Sequence, residues 1–426
     1  MRKNMSKKIL AVILSVVMIG SLTGCKKDIP QDDEEVFTGT GAATVDEMVP
    51  EKGAKLVFWT SNKEYGDAIA KAFEAKYGVP VTVAQEGMGT VDKIALSGPS
   101  GEGADVFVTG HDNFQKGLSS GVFMELEDAV VNNVKSKVSE SGTKTVTNDG
   151  KMYGVPISIE VNCLFYNKDL VETPVTTLEE IIEGSKTFND PANNKFNLLC
   201  TIGDGYYEFP FLASQGFELF GPNGDDADNP GFDTDEYEKG LELIASLHDV
   251  MPISSTDLNN KSSLKASFME GNVAYFITGP WDVTQIKESG LNFGVTTLPT
   301  YQGNQLKPFA GVQCAFVSTF TKYPIASELL ANFLISDEGA GILYKESNGI
   351  TTLSNIDNVE GLSDDPYLPA FVKQFENSVP MPSVSRISYF WSIAADIDRA
   401  VFDGQLTPAD ARKKSIDNWN ALLATE

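Results

Sequence analysis

Short apolar runs alternate with amphipathic stretches along the chain from Lys55 onward. Residues 55–59 form an apolar run typical of a buried strand. Residues 65–77 place their apolar side chains on one helical face and precede Gly78, a residue type that often ends helices. A strand, a helix and a strand are then predicted at 79–84, 91–96 and 105–108. This order predicts an α/β fold with a parallel sheet and helices on both faces.

The same alternation recurs in the second half of the chain. Thr177 and Glu180 have the spacing of a capping box that opens a helix. Thr407 and Pro408 are typical of the cap and first position of a last helix. Further strands and helices are predicted at 163–166, 263–269, 273–277 and 371–375. Because ligands bind beyond the carboxyl ends of strands in open α/β sheets, two such bodies predict a ligand cleft between them.

The N-terminus is typical of a bacterial lipoprotein. Four basic residues within the first eight precede an apolar stretch at 9–20, which is too short to serve as a membrane span. Small residues lead into Cys25, so 1–24 is predicted to be a signal peptide and Cys25 the lipidated residue at the extracytoplasmic face of the cell membrane. The alternative is an ordinary secretory signal with an incidental cysteine. Residues 25–53 are acidic and poor in apolar side chains, which predicts a flexible tether.

Length and composition exclude several function classes. The 426 residues predict two or three folded units. The formal charge is −26, and contacts to nucleic acid phosphates require basic patches, so nucleic acid is not an expected partner. The chain has two histidines, no C-x-x-C pair and no glycine-rich phosphate loop, so neither a metal nor a cofactor is expected. Residues 222–236 are acidic and predict a solvated loop, with a calcium site as the alternative.

Aromatic residues supply the visible binding chemistry. They make up 10% of the chain, and Tyr206, Trp281 and Trp391 stand beside turn or polar signals. Flat rings combined with carboxylates suit a sugar, whose C–H face stacks on the ring while its hydroxyl groups bond to oxygen acceptors. The alternative is that such rings are core residues, which is the interpretation for Trp59 and Trp419.

An ordered set of motifs resembles the maltose/maltodextrin-binding proteins, the solute receptors of ABC sugar importers. The motifs are GADVF at 103–107, GHDNF at 110–114, PISIE at 156–160, FYNKDL at 165–170, TGPW at 278–281, KPFAG at 307–311 and FLISDEG at 333–339. The resemblance implies a two-lobed fold of the periplasmic-binding-protein type. It implies one lobe of 54–158 plus 315–360 and a second of 163–310 plus 367–426. The hinge is implied near 158–162, 311–314 and 360–366.

The resemblance also implies binding residues. In this chain they are Asp112, Glu160, Asp204, Tyr206, Trp281, Trp391, Lys63, Asn113, Met381 and Asp92. Thr109, Asn113 and Ala395 stand where the family has a tryptophan and two arginines, which implies altered subsites. Asp112 as a helix cap and Tyr206 as a packing residue are the alternatives from the residues themselves.

The function implied is capture of malto-oligosaccharides by lobe closure and delivery to an ABC permease, without catalysis and by a monomer. One alternative is a binding protein for a different oligosaccharide. Two others are a surface glycosidase that uses Asp112 and Glu160, and a glycan-adhesion protein.

Overall fold

The computed structural model describes residues 44–87 and 89–426. The predicted signal peptide, Cys25 and most of the predicted tether lie outside the described residues. The strands are β1 Leu56–Thr60, β2 Val81–Gln85, β3 Val106–Gly110, β4 Thr147–Asn148, β5 Lys151–Met152, β6 Gly154–Glu160, β7 Cys163–Asn167, β8 Phe196–Leu199, β9 Val273–Thr278, β10 Phe293–Thr296, β11 Thr300–Tyr301, β12 Asn304–Gln305, β13 Phe309–Val317, β14 Ile350–Thr351 and β15 Val379–Pro380.

The helices follow the predicted alternation. They are α1 Lys63–Tyr77, α2 Thr90–Ser97, α3 Phe114–Ser119, α4 Asp128–Lys137, α5 Glu140–Lys144, α6 Leu178–Phe188, α7 Gly205–Ser214, α8 Asp235–Ser246, α9 Ser255–Leu258, α10 Lys261–Met269, α11 Val283–Glu288, α12 Pro324–Phe333, α13 Asp337–Ser347, α14 Leu368–Glu376, α15 Ile387–Phe402 and α16 Pro408–Leu423. Short 3-10 turns include His111–Asn113 and Pro280–Asp282.

Local signals mark several helix ends as predicted. Thr177 and Glu180 form the capping box of α6. Thr407 caps α16 with Pro408 in the first turn, and Gly78 ends α1 in the left-handed conformation that glycine adopts readily. These ends are set by residues close in sequence, which is why the sequence alone predicts them.

The larger sheet has the strand order β14-β6-β13-β3-β1-β2, with β15 paired to the start of β13. Strands β1, β2 and β3 are parallel, as predicted. Strand β13 is antiparallel to both β3 and β6, so the sheet as a whole is mixed, although the strands from which a parallel sheet was predicted are parallel. The reason is the long excursion after β6, from which the chain returns as β13 running in the opposite direction.

The smaller sheet has the order β10-β7-β9-β8. Strands β8 and β9 are parallel, whereas β7 is antiparallel to β9 and to β10. Strand β7 follows β6 after only two residues, so the chain passes directly from one sheet to the other. Both sheets are flanked by helices, which makes the fold α/β.

Among the described residues, the buried apolar side chains gather into two cores. The first core draws on residues 54–157 and 312–362. The second core draws on residues 161–309 and 371–419, with Ile350 added. Trp59 is buried in the first core and Trp419 in the second, which confirms the prediction that both are core residues. Cys163, Cys200 and Cys314 are buried thiols.

Residues 44–53, expected to belong to the tether, lie against the first core. Val45 and Met48 pack on that core. The Glu51 carboxylate accepts hydrogen bonds from the amides of Ile325 and Ala326, at 2.8 and 3.0 Å. The composition of this segment is polar, but partners distant in sequence hold it in place.

The acidic loop at 222–236 is bound by arginine. Arg386 contacts the Ala227 carbonyl and the Asp228 carboxylate, and Arg412 reaches Asp235 at 2.8 Å. Within the described ranges, no group of three or more His, Cys, Asp or Glu side chains is placed to hold a metal ion. In the same ranges, the helices are all too short or too polar for a bilayer crossing.

Candidate ligand-binding cleft

The two sheets place their loops at a common cavity. Strands β1, β3 and β6 all run in one direction, because β13 is antiparallel to both β3 and β6. Their carboxyl ends therefore meet at one edge, where Ser61 follows β1, Asp112 comes shortly after β3 and Glu160 ends β6. In the smaller sheet, β8 and β9 lead to Asp204 and Trp281. Ligands bind at such edges in open α/β sheets.

The cavity between these loops has a volume of about 420 Å³. Residues around the first core contribute Ser61, Gly110, Asp112, Asn113, Glu160, Val312 and Gln313 to its wall. Residues around the second core contribute Asp204, Tyr206, Tyr207, Lys261, Trp281, Met381 and Trp391. Oxygen-bearing side chains thus predominate on one side and aromatic rings on the other.

Three half-buried rings face this space. The centroids of Tyr206 and Trp281 are 6.2 Å apart, and the ring of Trp391 meets Phe309 edge-on at 5.7 Å. The Trp281 ring lies so close to Gly279 that a Cβ there would be 2.2 Å from it. A glycine at the end of β9 therefore allows this indole to fold back over the strand end.

The carboxyl group of Asp112 joins the two sides of the cavity. Its Oδ2 accepts a hydrogen bond from Trp391 Nε1 at 3.3 Å, and its Oδ1 accepts one from Asn113 at 3.1 Å. Burial among protein atoms raises the pKa of Asp112, an effect that its neighbour His111 opposes. Asp112 makes no side-chain cap to a helix.

Glu160 lies at the end of β6, where the chain leaves the larger sheet. Its Oε2 accepts a hydrogen bond from Gln313 Nε2 at 2.9 Å. Burial raises the pKa of Glu160, and the charge of Asp112 adds to the effect. The carboxyl oxygens of both residues line a protected site, where a hydrogen bond from a ligand hydroxyl is stronger than in water.

On the opposite wall, Asp204 caps α7 by accepting from the amide of Tyr206 at 3.1 Å. Its other oxygen pairs with Lys261 at 2.5 Å. The Lys261 ammonium also lies 4.9 Å from the centre of the Tyr207 ring. Among the described residues the Tyr206 hydroxyl has no hydrogen-bond partner, although it is buried. A buried hydroxyl without a partner is free to bond to a ligand.

A smaller cavity of about 120 Å³ adjoins the first and shares Ser61, Glu160, Trp281 and Gln313 with it. Tyr65 also lines it, and within the described part of the chain its buried hydroxyl has no partner. The cleft therefore continues past Trp281 toward α13.

Residues 68–370, more than half of the chain, match the family described as bacterial extracellular solute-binding protein. The chain belongs to this family. This chain is 30% identical over 370 residues to the maltooligosaccharide ABC transporter solute-binding lipoprotein of Streptococcus pneumoniae strain R6. The match covers 85% of this chain and 86% of the relative. This chain is also 29% identical over 373 residues to the galactooligosaccharide-binding protein of Bacillus subtilis strain 168, with 84% and 87% covered.

A solved structure is similar throughout the folded part. The crystal structure of MalX from Streptococcus pneumoniae in complex with maltopentaose superposes on this chain with a TM-score of 0.77. The identity is 27%, and the match covers 87% of this chain and 100% of that one.

The structure gathers most of the sequence-predicted site residues of the solute-binding protein. Those that line the cavity are Asp112, Asn113, Glu160, Asp204, Tyr206, Trp281, Met381 and Trp391. Two do not line it. Lys63 pairs with Asp67 one helical turn away, and Asp92 pairs with Lys116 at 2.7 Å on the surface. Lys63 belongs to α1, and its charge pairs with a residue of the same helix. Asp92 belongs to α2, and its charge pairs with a lysine of the following helix α3.

Sequence reasoning missed several lining residues, including Ser61, Tyr207, Lys261 and Gln313. Tyr207 stands beside Tyr206 and could have been found by the same aromatic signal. Lys261 opens α10 more than 50 positions after Tyr207, the ring that it contacts, and no sequence signal marks it. Of the positions that depart from the family pattern, Thr109 is fully buried in β3, and neither it nor Ala395 lines the cavity.

Proposed function

We propose that this protein is an extracytoplasmic receptor that captures malto-oligosaccharides and delivers them to an ABC permease. The observation that carries the proposal is the cavity itself, in which Trp281, Trp391 and Tyr206 face Asp112 and Glu160. Two relatives named for maltooligosaccharide or maltodextrin binding support the choice of sugar.

Capture proceeds without covalent chemistry. The sugar's apolar face stacks on the rings, and its hydroxyl groups donate to the two carboxyl groups and to Asp204. A ligand shifts the lobes toward closure only through contacts that the closed form alone makes. The hydrogen bond between Trp391 and Asp112 already joins the two walls of the cavity, so a sugar bound in the cavity contacts both walls. A micromolar affinity, about −8 kcal/mol, is enough for capture and release.

The lobes that move are 54–158 plus 315–360 and 163–310 plus 367–426, with the hinge near 158–162, 311–314 and 360–366. The separate cores support this division, because each packs its own sheet. We further propose that Cys25 carries the lipid anchor at the extracytoplasmic face of the cell membrane and that 26–43 forms the tether of a monomeric receptor. The printed names of the pneumococcal relatives, which are lipoproteins, support the anchor.

Titration calorimetry with maltose, maltotriose and maltopentaose tests the ligand. We expect saturable binding of the longer chains and a higher melting temperature with sugar, since a ligand that binds only the folded state stabilises it. Cellopentaose, which has the same glucose units in β-linkage, is the matched control and should give no heat. The absence of heat and of a thermal shift with every α-glucan would refute this ligand.

A second ligand class is favoured by one observation, the 29% identity to a galactooligosaccharide-binding protein. The same calorimetric panel therefore includes β-1,4-galactobiose and galactotriose. Binding of these sugars, with none of the α-glucans, would replace the first ligand and leave the receptor role intact.

Catalysis is not part of the proposal. A glycosidase requires two carboxyl groups at the scissile bond, and at least one must be ionised. Here both carboxyl groups are already engaged within the protein, because Asp112 accepts hydrogen bonds from Trp391 and Asn113 and Glu160 accepts one from Gln313. We expect maltopentaose to remain intact after a long incubation, as measured by chromatography. The appearance of shorter chains would contradict this expectation.

A further inference from the structure

Both ring nitrogens of His111 are bonded to main-chain groups of other segments. The amide of Val312 donates to Nδ1 at 3.1 Å. Nε2 lies 2.9 Å from the carbonyl oxygen of Met381. The side chain is 4% exposed, so water does not compete for either nitrogen.

These two partners define the proton's position. An amide can only donate, so Nδ1 must present its lone pair to Val312. A carbonyl can only accept, so Nε2 must carry the hydrogen that is given to Met381. The imidazole is therefore neutral, with its proton on Nε2. A second proton, on Nδ1, would point at the amide hydrogen of Val312 and abolish that bond.

The two bonds join the walls of the cleft. Val312 lies in β13 and belongs to the first core, whereas Met381 belongs to the second. Met381 follows β15, which itself pairs with the start of β13. Val312 and Met381 both line the cavity, and so does Asp112, the next residue after the histidine. The His111 imidazole thus connects its own segment to the segments of Val312 and Met381, and all three contribute to the cavity wall.

The groups around His111 act in opposite directions. Burial disfavours the charged imidazole and lowers the pKa of His111, while the carboxyl group of Asp112 raises it. Glu160 on β6 is the carboxyl group next to Asp112, and it interacts with Asp112 by charge. On the facing segments, Val312 and Met381 contribute main-chain groups without charge.

We propose that His111 is a positioning residue for the ligand cavity, which it holds in shape only as the neutral Nε2–H tautomer, and that its protonation breaks the bond to Val312 and so releases the ring from strand β13. The consequence for sugar affinity rests on the proposed function, whereas the tautomer and the two hydrogen bonds of His111 do not.

The first test uses the wild-type chain without ligand. The sequence has only one other histidine, His248, which is exposed on the surface. Long-range proton–nitrogen NMR on histidine-labelled protein, purified without a histidine tag, reports each ring separately. We expect His111 to remain an Nε2–H tautomer when the pH is lowered below 6.5, the ordinary pKa of a histidine side chain. A His111 ring with its proton on Nδ1, or charged at neutral pH, overturns the proposal.

The second test measures maltopentaose affinity from pH 8 down to the acidic pH at which the NMR spectra show that His111 protonates. His111→Gln keeps a donor for Met381 but cannot ionise, so we expect nearly wild-type affinity at pH 8 and a smaller loss on acidification. His111→Phe removes both bonds and should weaken binding roughly tenfold at every pH. His248→Gln is the matched control and should keep the wild-type profile.

The pH profile separates His111 from its acidic neighbours. If His111→Gln loses affinity in acid as steeply as the wild type, Asp112 or Glu160 causes the loss and the proposal fails. If the wild type binds no maltopentaose, the proposed function fails. The NMR result then still decides whether His111 is the neutral tautomer that bonds to Val312 and Met381.

Discussion

Trp391 illustrates how much one residue contributes to both walls of the cleft. It extends from α15, where Phe390 beside it is a core residue, yet its own ring is half-buried and lines the cavity. Its N–H group satisfies Asp112, and its face remains available for stacking. Tyr389, two residues earlier on the same helix, points elsewhere and bonds to Glu426 at 3.0 Å.

For this single residue, we predict how removal of the indole changes sugar binding. Trp391→Ala loses the stacking face and should weaken maltopentaose binding by about tenfold or more. Trp391→Phe keeps a ring without the N–H donor and should lose less. Tyr389→Ala, an aromatic removed from the same helix outside the cavity, should bind as the wild type does. Calorimetry checks all three, and wild-type affinity in Trp391→Ala would exclude a binding role.

The start of helix α12 shows that a structural element can be completed by a distant residue. Pro324 opens the helix, and Tyr323 before it offers no side-chain cap. The free amides of Ile325 and Ala326 are instead bonded by Glu51, which lies more than 270 residues earlier. A carboxylate at a helix N-terminus also interacts favourably with the helix dipole.

We therefore predict that Glu51→Ala lowers the free energy of unfolding by about 1 kcal/mol, as loss of an N-cap usually does. Denaturant unfolding measures the change. Asp46→Ala, an exposed acid in the same segment, is the control and should leave stability unchanged. Sugar affinity should be the same in both variants, because neither residue lines the cleft. Equal stability of Glu51→Ala and wild type would show that the segment is not anchored by this contact.

The molecule as a whole carries a formal charge of −26 and also encloses acidic side chains. Glu208 and Asp398 are fully buried and adjacent, below the loop that presents Asp204. Glu208 accepts hydrogen bonds from the amides of Gly203 and Asp204, at 2.8 and 3.0 Å. Burial, and then repulsion by Asp398, raises the pKa of Glu208. Burial raises the pKa of Asp398 to about 7. A proton shared between the pair relieves the repulsion.

These carboxyl groups set the direction of a pH effect. In the fold Asp398 keeps its proton at pH values where the unfolded chain has lost it, so stability falls as pH rises from about 4 to about 7. Burial likewise raises the pKa of Glu328 to about 8, which extends the fall to slightly alkaline pH. His111, whose pKa is lowered, opposes the trend only below its ordinary value of 6.5.

We therefore predict that the melting temperature declines between pH 6 and pH 8.5. Asp398→Asn should raise it at pH 8.5 and have a smaller effect at pH 5, because the amide carries no charge to bury. Thermal unfolding across this range is the measurement. Asp396→Asn, an exposed acid on the same helix, controls for the change in net charge. A melting temperature that rises steadily to pH 8.5 in the wild type would refute this account.

Much of the fold follows from local sequence. Helix α6 begins at its own capping box, α1 ends at its own glycine, and β9 is an uninterrupted apolar run. These features depend on residues within a few positions of each other, so the sequence alone predicts them. The aromatic residues beside turns, Tyr206, Trp281 and Trp391, were recognised in the same way and all line the cavity.

What the sequence by itself determined was therefore the order of elements, the α/β class and the cavity's rings, while the resemblance to a known family supplied most of its acids. Only the tertiary structure decided the antiparallel path of β13, the presence of Lys261 in the cleft and the absence of Lys63 and Asp92 from it. It also decided that His111 meets Met381, 270 positions later. Such contacts depend on how distant segments pack, and the chain carries no short-range pattern that encodes them.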